Sequence, residues 1–339
     1  MVVGCGPAGA TAARVAAERG LSVMMIDRRR SVGMPPRCAG YVPFWLKART
    51  RFDESAVLQP VEGVRFVGMD GAVRKVKSEG FILDRTRFDK TLAIRALEAG
   101  ADLAHAMVLK REGSRVVGRR GGLEADFEGQ FILGADGPGS VVGKSVGLVN
   151  HRFWVSMQYE VGLKTPEAWL TFFRLPGKPE GVAWFVPCGR TARLGVTLSR
   201  PEARYLKHCL TRFLHQMVAE GLVFDGVLSY TGGLLPVNGS LDSMRAGHVL
   251  LAGDAGGLSE PFGGAGIAKA VVSGEVAGDL VGRVLTESNP GLLDDYDQAV
   301  KARMPVEFLL TDFEQLADRQ AAIAAWCGSY DETPIEGGA

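Results

Sequence analysis

Gly4, Gly6 and Gly9 follow the apolar pair Val2 and Val3 and open a run of small residues that reaches Gly20. Glycines at that spacing bring bare backbone up to a diphosphate. Gly4 lets the chain turn tightly off a strand, and Gly6 lets the backbone approach the pyrophosphate. Gly9 lets the following helix pack closely on the sheet. The start of that helix then presents free N–H groups and the positive end of its dipole to the phosphates. A second apolar run, residues 21–26, ends in Asp27, 18 residues beyond Gly9, where a carboxylate can accept bonds from both ribose hydroxyls. Strand, turn, helix, strand and acid together predict a dinucleotide site, against the alternative of an ordinary βα turn. Only Val2 and Val3 precede the turn, so either the first strand begins upstream or it is trimmed here.

A second constellation lies near the other end of the chain. The apolar residues 249–252 run into Gly253-Asp254-Ala-Gly, followed by Pro261-x-Gly-Gly264-Ala-Gly266-Ile267. Asp254 falls at the carboxyl end of a buried strand, where open α/β sheets bind ligands. The helix expected from about Ile267 carries Val271, Gly274, Gly278, Val281 and Leu285, a small and apolar face suited to close packing. Between the two lies Gln130-Phe-Ile-Leu133 leading into Gly134-Ala-Asp136-Gly137. Those flanking glycines suit either approach to a cofactor or a plain turn.

The elements that must position these groups read in order. Residues 28–43 begin with Arg28-Arg29-Arg30 and hold three prolines and two glycines, which predicts a loop. The arginine run reads as solvated surface or, with Arg28 beside the acid, as a 2′-phosphate contact. A hairpin is expected over 61–80 and a helix from about 85 to 99 ended by Gly100. Strands follow near 103–109 and 115–119. From 151 the period changes to two: Phe153, Val155, Met157, Tyr159 and Val161 alternate with Trp154, Ser156, Gln158 and Glu160. With strands at 168–175, 182–187 and 192–198, this predicts an antiparallel sheet rich in aromatics, which serve as core or as the wall of an apolar pocket. A helix over 202–219, a return segment over 231–236 and a helical tail over 291–327 broken at Pro305 complete the reading; 331–339 reads as disordered.

Composition narrows the function classes. The 339 residues suffice for two domains, and 46% hydrophobic content supports a large core. A net charge of +1 argues against a nucleic-acid partner. No run reaches the ~18–20 apolar residues that span a bilayer, and no signal peptide is expected. Five cysteines without a Cys-x-x-Cys pair fit the reducing cytoplasm better than a disulfide framework or a zinc site.

Taken together, Gly4-Cys-Gly-Pro-Ala-Gly9, Cys38-Ala-Gly40, Arg85-x-x-Phe88-Asp89-x-x-Leu92, Gly134-Ala-Asp-Gly137 and the block from Gly253 to Ile267 followed by Ser273-Gly274 resemble the geranylgeranyl reductase family. That family belongs to the glutathione-reductase-like FAD-dependent oxidoreductases. The resemblance implies an α/β protein: a Rossmann-like FAD-binding domain (1–60, 81–150 and 245–285), an inserted antiparallel-sheet substrate domain (61–80 and 151–244) and a helical C-terminus (286–330). It implies that Gly4, Gly6, Ala8 and Gly9 meet the pyrophosphate and Asp27 the adenosine ribose. Cys38, Ala39 and Tyr41 would line the flavin ring, Arg85 the phosphates or ribityl chain, and Val108 the adenine. Asp254 would meet the ribityl or phosphate oxygens, Gly266 and Ile267 the N1–C2=O edge of the ring, and Gly264 would be a further cofactor contact. The family's Tyr-x-Trp-x-Phe-Pro-x-Gly segment stands here as Val182-x-Trp184-x-Val186-Pro187-x-Gly189. Trp184 and Pro187 are thus candidate substrate contacts, and the lost tyrosine and phenylalanine point to an altered substrate.

The implied chemistry is saturation of carbon–carbon double bonds in a prenyl-type lipid or related apolar substrate by hydride from reduced FAD, with Cys38 the candidate catalytic residue. NAD(P)H or a reduced ferredoxin would supply electrons, and so apolar a substrate favours peripheral contact with a membrane. The rival readings are an NAD(P)H-dependent aromatic hydroxylase and an electron-transfer flavoprotein that reduces a quinone.

Overall fold

The computed structural model describes residues 1–68, 71–175, 181–259 and 266–304. The chain opens with β1 (Val2–Val3), α1 (Pro7–Glu18), β2 (Met24–Asp27), β3 (Tyr41–Pro43) and α2 (Trp45–Thr50). Next come β4 (Val57–Val67), β5 (Val73–Leu83), α3 (Arg85–Glu98), β6 (Asp102–His105), β7 (Met107–Glu112), β8 (Arg115–Arg120) and β9 (Leu123–Glu128). β10 (Ile132–Gly134), α4 (Val141–Lys144), β11 (Phe153–Leu163), β12 (Trp169–Leu175), β13 (Gly181–Cys188) and β14 (Thr191–Ser199) follow. The last described elements are α5 (Leu206–Ala219), β15 (Val223–Pro236), β16 (Arg245–Ala246), β17 (Val249–Leu251), α6 (Gly266–Glu287) and α7 (Tyr296–Arg303).

Three sheets organise these elements. The first has the order β16-β17-β10-β1-β2-β6, parallel throughout except for β16. β1 sits centrally, with β2 on one side and β10 on the other, so the chain's direction of winding switches at its carboxyl end and opens a crevice there. The second sheet runs β15-β11-β14-β13-β12-β4-β5-β3. One of its faces packs under α5 through Leu194, Val196, Leu210 and Phe213. Its other face carries Trp154, Phe172, Val182 and Val186, packed with Phe66 and Tyr41. The third sheet is the small meander β7-β8-β9.

Sequence pattern and structure differ in instructive places. Residues 41–43, read as loop, form β3, paired with Phe81 and Ile82 at the sheet's edge; an edge strand tolerates Pro43, which has no N–H to donate. The hairpin is longer than 61–80, and its first strand pairs parallel with β12 rather than antiparallel. The single strand expected at 103–109 is two, β6 in the parallel sheet and β7 in the meander. The helix expected from residue 202 begins as a 3-10 turn over Arg200–Tyr205. Beyond Met304, the second half of the expected helical tail lies outside the described residues.

The parallel sheet is closed by two helices in unusually close contact. A methyl added at Gly274 would overlap the Ala8 carbonyl oxygen, and one at Gly278 would lie 2.5 Å from the Ala12 oxygen. Glycine spacing of four therefore sets the distance between α1 and α6. We expect Gly274→Ala and Gly278→Ala each to lose about 1–3 kcal/mol through overpacking, despite a helix-propensity gain of about 1 kcal/mol. At Gly282 the new methyl would meet only the Arg19 side chain, which can move aside, so Gly282→Ala should cost clearly less. Urea denaturation checks this; equal losses at all three positions would refute backbone contact as the determinant.

Candidate functional site

The first turn is built by exclusion of side chains. Gly4 has φ +101° and donates its N–H to Ile26 O at 2.7 Å. A methyl at Gly4 would overlap Ala135 O, and one at Gly9 would overlap Gly4 O. Gly6 differs: its added methyl would meet nothing nearer than Arg29 Nη2 at 3.9 Å. Its backbone therefore faces open space at the start of α1, where no side chain caps the helix. That leaves N–H groups for an anion. Asp27 is 3% exposed at the end of β2. It accepts the Cys5 N–H at 2.7 Å on Oδ2 and the Arg29 N–H at 2.7 Å on Oδ1, with the Arg29 guanidinium at 3.2 and 3.3 Å. Arg29, not Arg28, is the arginine on the acid; Arg28 is exposed.

The second turn meets the first. Gly253, at φ +60°, would place a methyl 3.1 Å from Ala8 Cβ and 3.4 Å from Ala270 Cβ. Ala8, Ala252 and Ala270 form one small apolar cluster with Ala135 against it. Ser273 Oγ accepts the Gly253 N–H at 3.0 Å and anchors the turn to α6. Asn150 Nδ2 donates to Asp254 O at 2.8 Å and to Pro138 O at 3.2 Å, tying this turn to the one after β10. The Asp254 carboxylate accepts no hydrogen bond among the described residues and lies near the start of α6, where Gly266 begins the helix and Ile267 is buried. Gly264 lies outside the described residues. Burial pushes the Asp254 carboxyl up to about 6, with the nearby Arg85 charge opposing the shift.

The Cys38 loop joins the site through Arg85, which lies beside Cys38 and near Asp254. Cys38 is half-buried, and its sulfur accepts the Gly40 N–H at 3.4 Å. Arg85 makes a two-pronged ion pair with the buried Asp89, at 2.9 and 3.0 Å, beside the Cys38 sulfur. Burial opposes the Arg85 charge; Asp89 and Cys38 outweigh it and raise its pKa. Cys38, Arg85, Asp254 and the start of α6 thus share one region with the first turn.

Other expected residues have different surroundings. The Tyr41 ring is buried, its hydroxyl bonded to Ser78 Oγ at 2.5 Å and Ser78 O at 3.1 Å. Val108 lies in β7 opposite Gly118, half-buried. The Trp184 ring covers Gly195 on β14, where any side chain would overlap it, and its Nε1 has no partner among the described residues. Pro187 is buried opposite Ala192. Asp136 caps α4, accepting from Ser140 Oγ and the N–H groups of Val141 and Val142, so that motif acid serves a turn. Sequence reasoning passed over Arg193 and Gln158. Both fall on the polar face of an alternating strand, where periodicity predicts exposure, whereas the structure buries them.

An open glycine face on an uncapped helix end, an unpartnered half-buried carboxylate and a left-handed Gly137 where an added methyl would meet nothing within 4 Å fit a bound dinucleotide. The chain is accordingly an FAD-dependent oxidoreductase. Residues 82–307 match the FAD binding domain family, and residues 2–42 match the NAD(P)-binding Rossmann-like domain. Over 321 residues the chain is 32% identical to the digeranylgeranylglycerophospholipid reductase of Methanothrix thermoacetophila, covering 86% of this chain and 79% of that one. Its fold superposes on a geranylgeranyl bacteriochlorophyll reductase-like protein from Thermoplasma acidophilum with TM-score 0.81 and 26% identity, covering 96% of this chain and 88% of that one. It belongs to the geranylgeranyl reductase family. Aklavinone-11 hydroxylase, at 22% identity and TM-score 0.67 over 89% of this chain and 65% of that one, shares the fold alone.

The Asp254 environment has a measurable sign. A carboxyl raised to about 6 from 3.8 binds its proton more tightly folded than unfolded. It therefore costs stability increasingly as pH rises from about 4 to about 6, and in full above that. In FAD-free protein at pH 7.5, Asp254→Asn should add about 1–3 kcal/mol, from ~1.4 kcal/mol per unit, and the gain should vanish near pH 4. Denaturant melts at the two pH values check this; a gain independent of pH would refute the burial explanation.

Proposed function

We propose that this flavoprotein saturates carbon–carbon double bonds of a prenyl-type lipid or a related apolar substrate. The observation that carries the reading is the position of Cys38 where the two sheets meet: its thiol lies beside Arg85 and packs on the dinucleotide-side core, its carbonyl accepts from Gln158 of the eight-stranded sheet, and its neighbour Ala39 packs on that sheet's apolar face. Reduced FAD supplies the hydride for such a reaction. Around it, Gly6, Ala8 and the first N–H groups of α1 would hold the diphosphate, Asp27 the ribose and Asp254 the ribityl oxygens. The amides of Gly266 and Ile267, at the positive end of the 22-residue α6, would stabilise negative charge on the ring edge.

An unactivated alkene offers hydride little help, so the site must be dry and hold the double bond in near-attack geometry. Trp154, Phe172, Val182 and Val186 supply the dry wall. Cys38 would hold at Sγ the proton delivered to the neighbouring carbon, and the Arg85 guanidinium would stabilise the thiolate left behind. Electrons would arrive from NAD(P)H or a reduced ferredoxin. No helix among the described residues is long and apolar enough to cross a membrane; a substrate this apolar favours peripheral contact with the bilayer surface from the cytoplasm.

Anaerobic reduction of the FAD-loaded protein, followed by mass spectrometry of an added prenyl lipid pool, tests the activity: a gain of two hydrogens per double bond is expected. Rapid NAD(P)H oxidation with oxygen uptake and no saturated lipid would instead favour a hydroxylase. Cys38→Ala should keep its flavin and lose on the order of 10²-fold or more in turnover, whereas Asp254→Asn should bind FAD about 10–100-fold more weakly, as loss of a charge-assisted hydrogen bond implies.

A further inference from the structure

Arg193 is the unusual residue of β14. It alternates with Ala192, Leu194, Val196 and Leu198, which are fully buried under α5, and so stands on the opposite face of the sheet beside Val186; it is itself only 8% exposed. Among the described residues its guanidinium has no carboxylate partner. Glu160, directly opposite on β11, accepts the hydroxyls of Thr191 and Ser229 at 3.1 Å each. Nη1 of Arg193 instead donates to two backbone carbonyls, Ala39 O at 2.8 Å and Leu83 O at 3.2 Å. A buried cation satisfied by neutral carbonyls alone is an expensive arrangement, and a methionine of similar length would fill the space more cheaply.

What the arrangement secures is the backbone beside Cys38. Gly40 stands at φ +92°, and a methyl there would lie 2.5 Å from Arg193 Nη1, so only glycine admits the guanidinium. Gly40 also closes the turn, donating to Cys38 Sγ at 3.4 Å and accepting from the Leu83 N–H at 2.9 Å. One position along, Gln158 Nε2 donates to Cys38 O at 3.3 Å. Gln158 pairs with Gly195 and Arg193 with Glu160 across the same two strands, so both side chains rise from one face.

We propose that Arg193, assisted by Gln158, is a positioning residue that fixes the 38–40 turn and so keeps the Cys38 thiol against Arg85. The eight-stranded sheet thereby sets the geometry of the reacting thiol as well as the wall of the substrate site. The catalytic consequence rests on the proposed role of Cys38; the positioning does not.

Two measurements on FAD-loaded protein separate these. Hydrogen exchange followed by mass spectrometry should show amides 38–40 exchanging about tenfold or more faster in Arg193→Met, with exchange in α1 and β17 and the flavin content unchanged. Arg193→Lys, which keeps the charge and enough donors for both carbonyls on a shorter side chain, should recover part or all of the protection. Unchanged exchange in Arg193→Met overturns the positioning claim. In turnover, Arg193→Met should lower kcat about tenfold with little change in lipid KM. The same substitution made on Cys38→Ala should have less than about twofold further effect, because residues acting as a unit are not additive. An equal loss in both backgrounds would show that Arg193 acts otherwise than through Cys38. If Cys38→Ala leaves kcat intact, the proposed role of the thiol fails while the exchange result still decides the positioning. Should Arg193→Met not fold, Gln158→Leu takes its place: about threefold faster exchange at 38–40 supports the proposal, and no change there overturns it.

Discussion

The approach of α6 to α1 is the constraint on which the rest of the molecule depends. Backbone oxygens of Ala8 and Ala12 lie where methyl groups of Gly274 and Gly278 would be, so the two helices touch through main chain. That contact draws the turn after β1 and the turn after β17 into a single alanine-lined nest. Neither turn alone makes a site. The first offers open N–H groups without a ring contact, and the second offers a carboxylate and a helix start without a diphosphate cradle. Their convergence follows from the absence of side chains, since a few methyl groups would push the two ends apart.

Around that nest, charge is placed with different degrees of compensation. Arg85 and Asp89 satisfy each other in a two-pronged pair. Asp27 is oriented by two amides and by Arg29, with acceptor capacity to spare. Asp254 is left without a hydrogen-bond donor among the described residues, and its burial shows as a raised pKa. A site pre-built for a ligand has this pattern: groups that orient the scaffold are paired within it, while the group that awaits the ligand carries its desolvation uncompensated.

Much of this was legible in the sequence because the responsible interactions are local. Gly4, Gly6 and Gly9 are fixed by the geometry of one turn, and their spacing states it. Gly274 and Gly278 announce close packing by their interval of four, though not the partner they pack on. Local signals also mislead: Asp136 between glycines looks like a ligand group but caps α4, and nothing in its neighbourhood separates the two. The Arg28 and Arg29 positions are equally opaque, because which arginine folds back onto Asp27 depends on how the loop leaves β2. The parallel pairing of β4 with β12 joins residues a hundred positions apart, and no periodicity encodes that. Arg193 sits where an alternating strand places a polar residue, so nothing local marks it, and its partners, Ala39 O and Leu83 O, are set by tertiary structure alone.

That long-range parallel pairing also bears on the order in which the molecule can be made. β4 and β5 have their place in the large sheet only once β12 exists, and β1 lacks one of its two neighbours until β10 has been synthesised. Closing such separated segments is slow, since loop entropy is lost before contacts repay it. A ribosome would therefore release most of the polypeptide before its cofactor had anywhere to lodge. During that interval the incomplete sheets would be exposed to misassociation, which makes the supply of flavin and of chaperone at the moment of chain completion a determinant of yield.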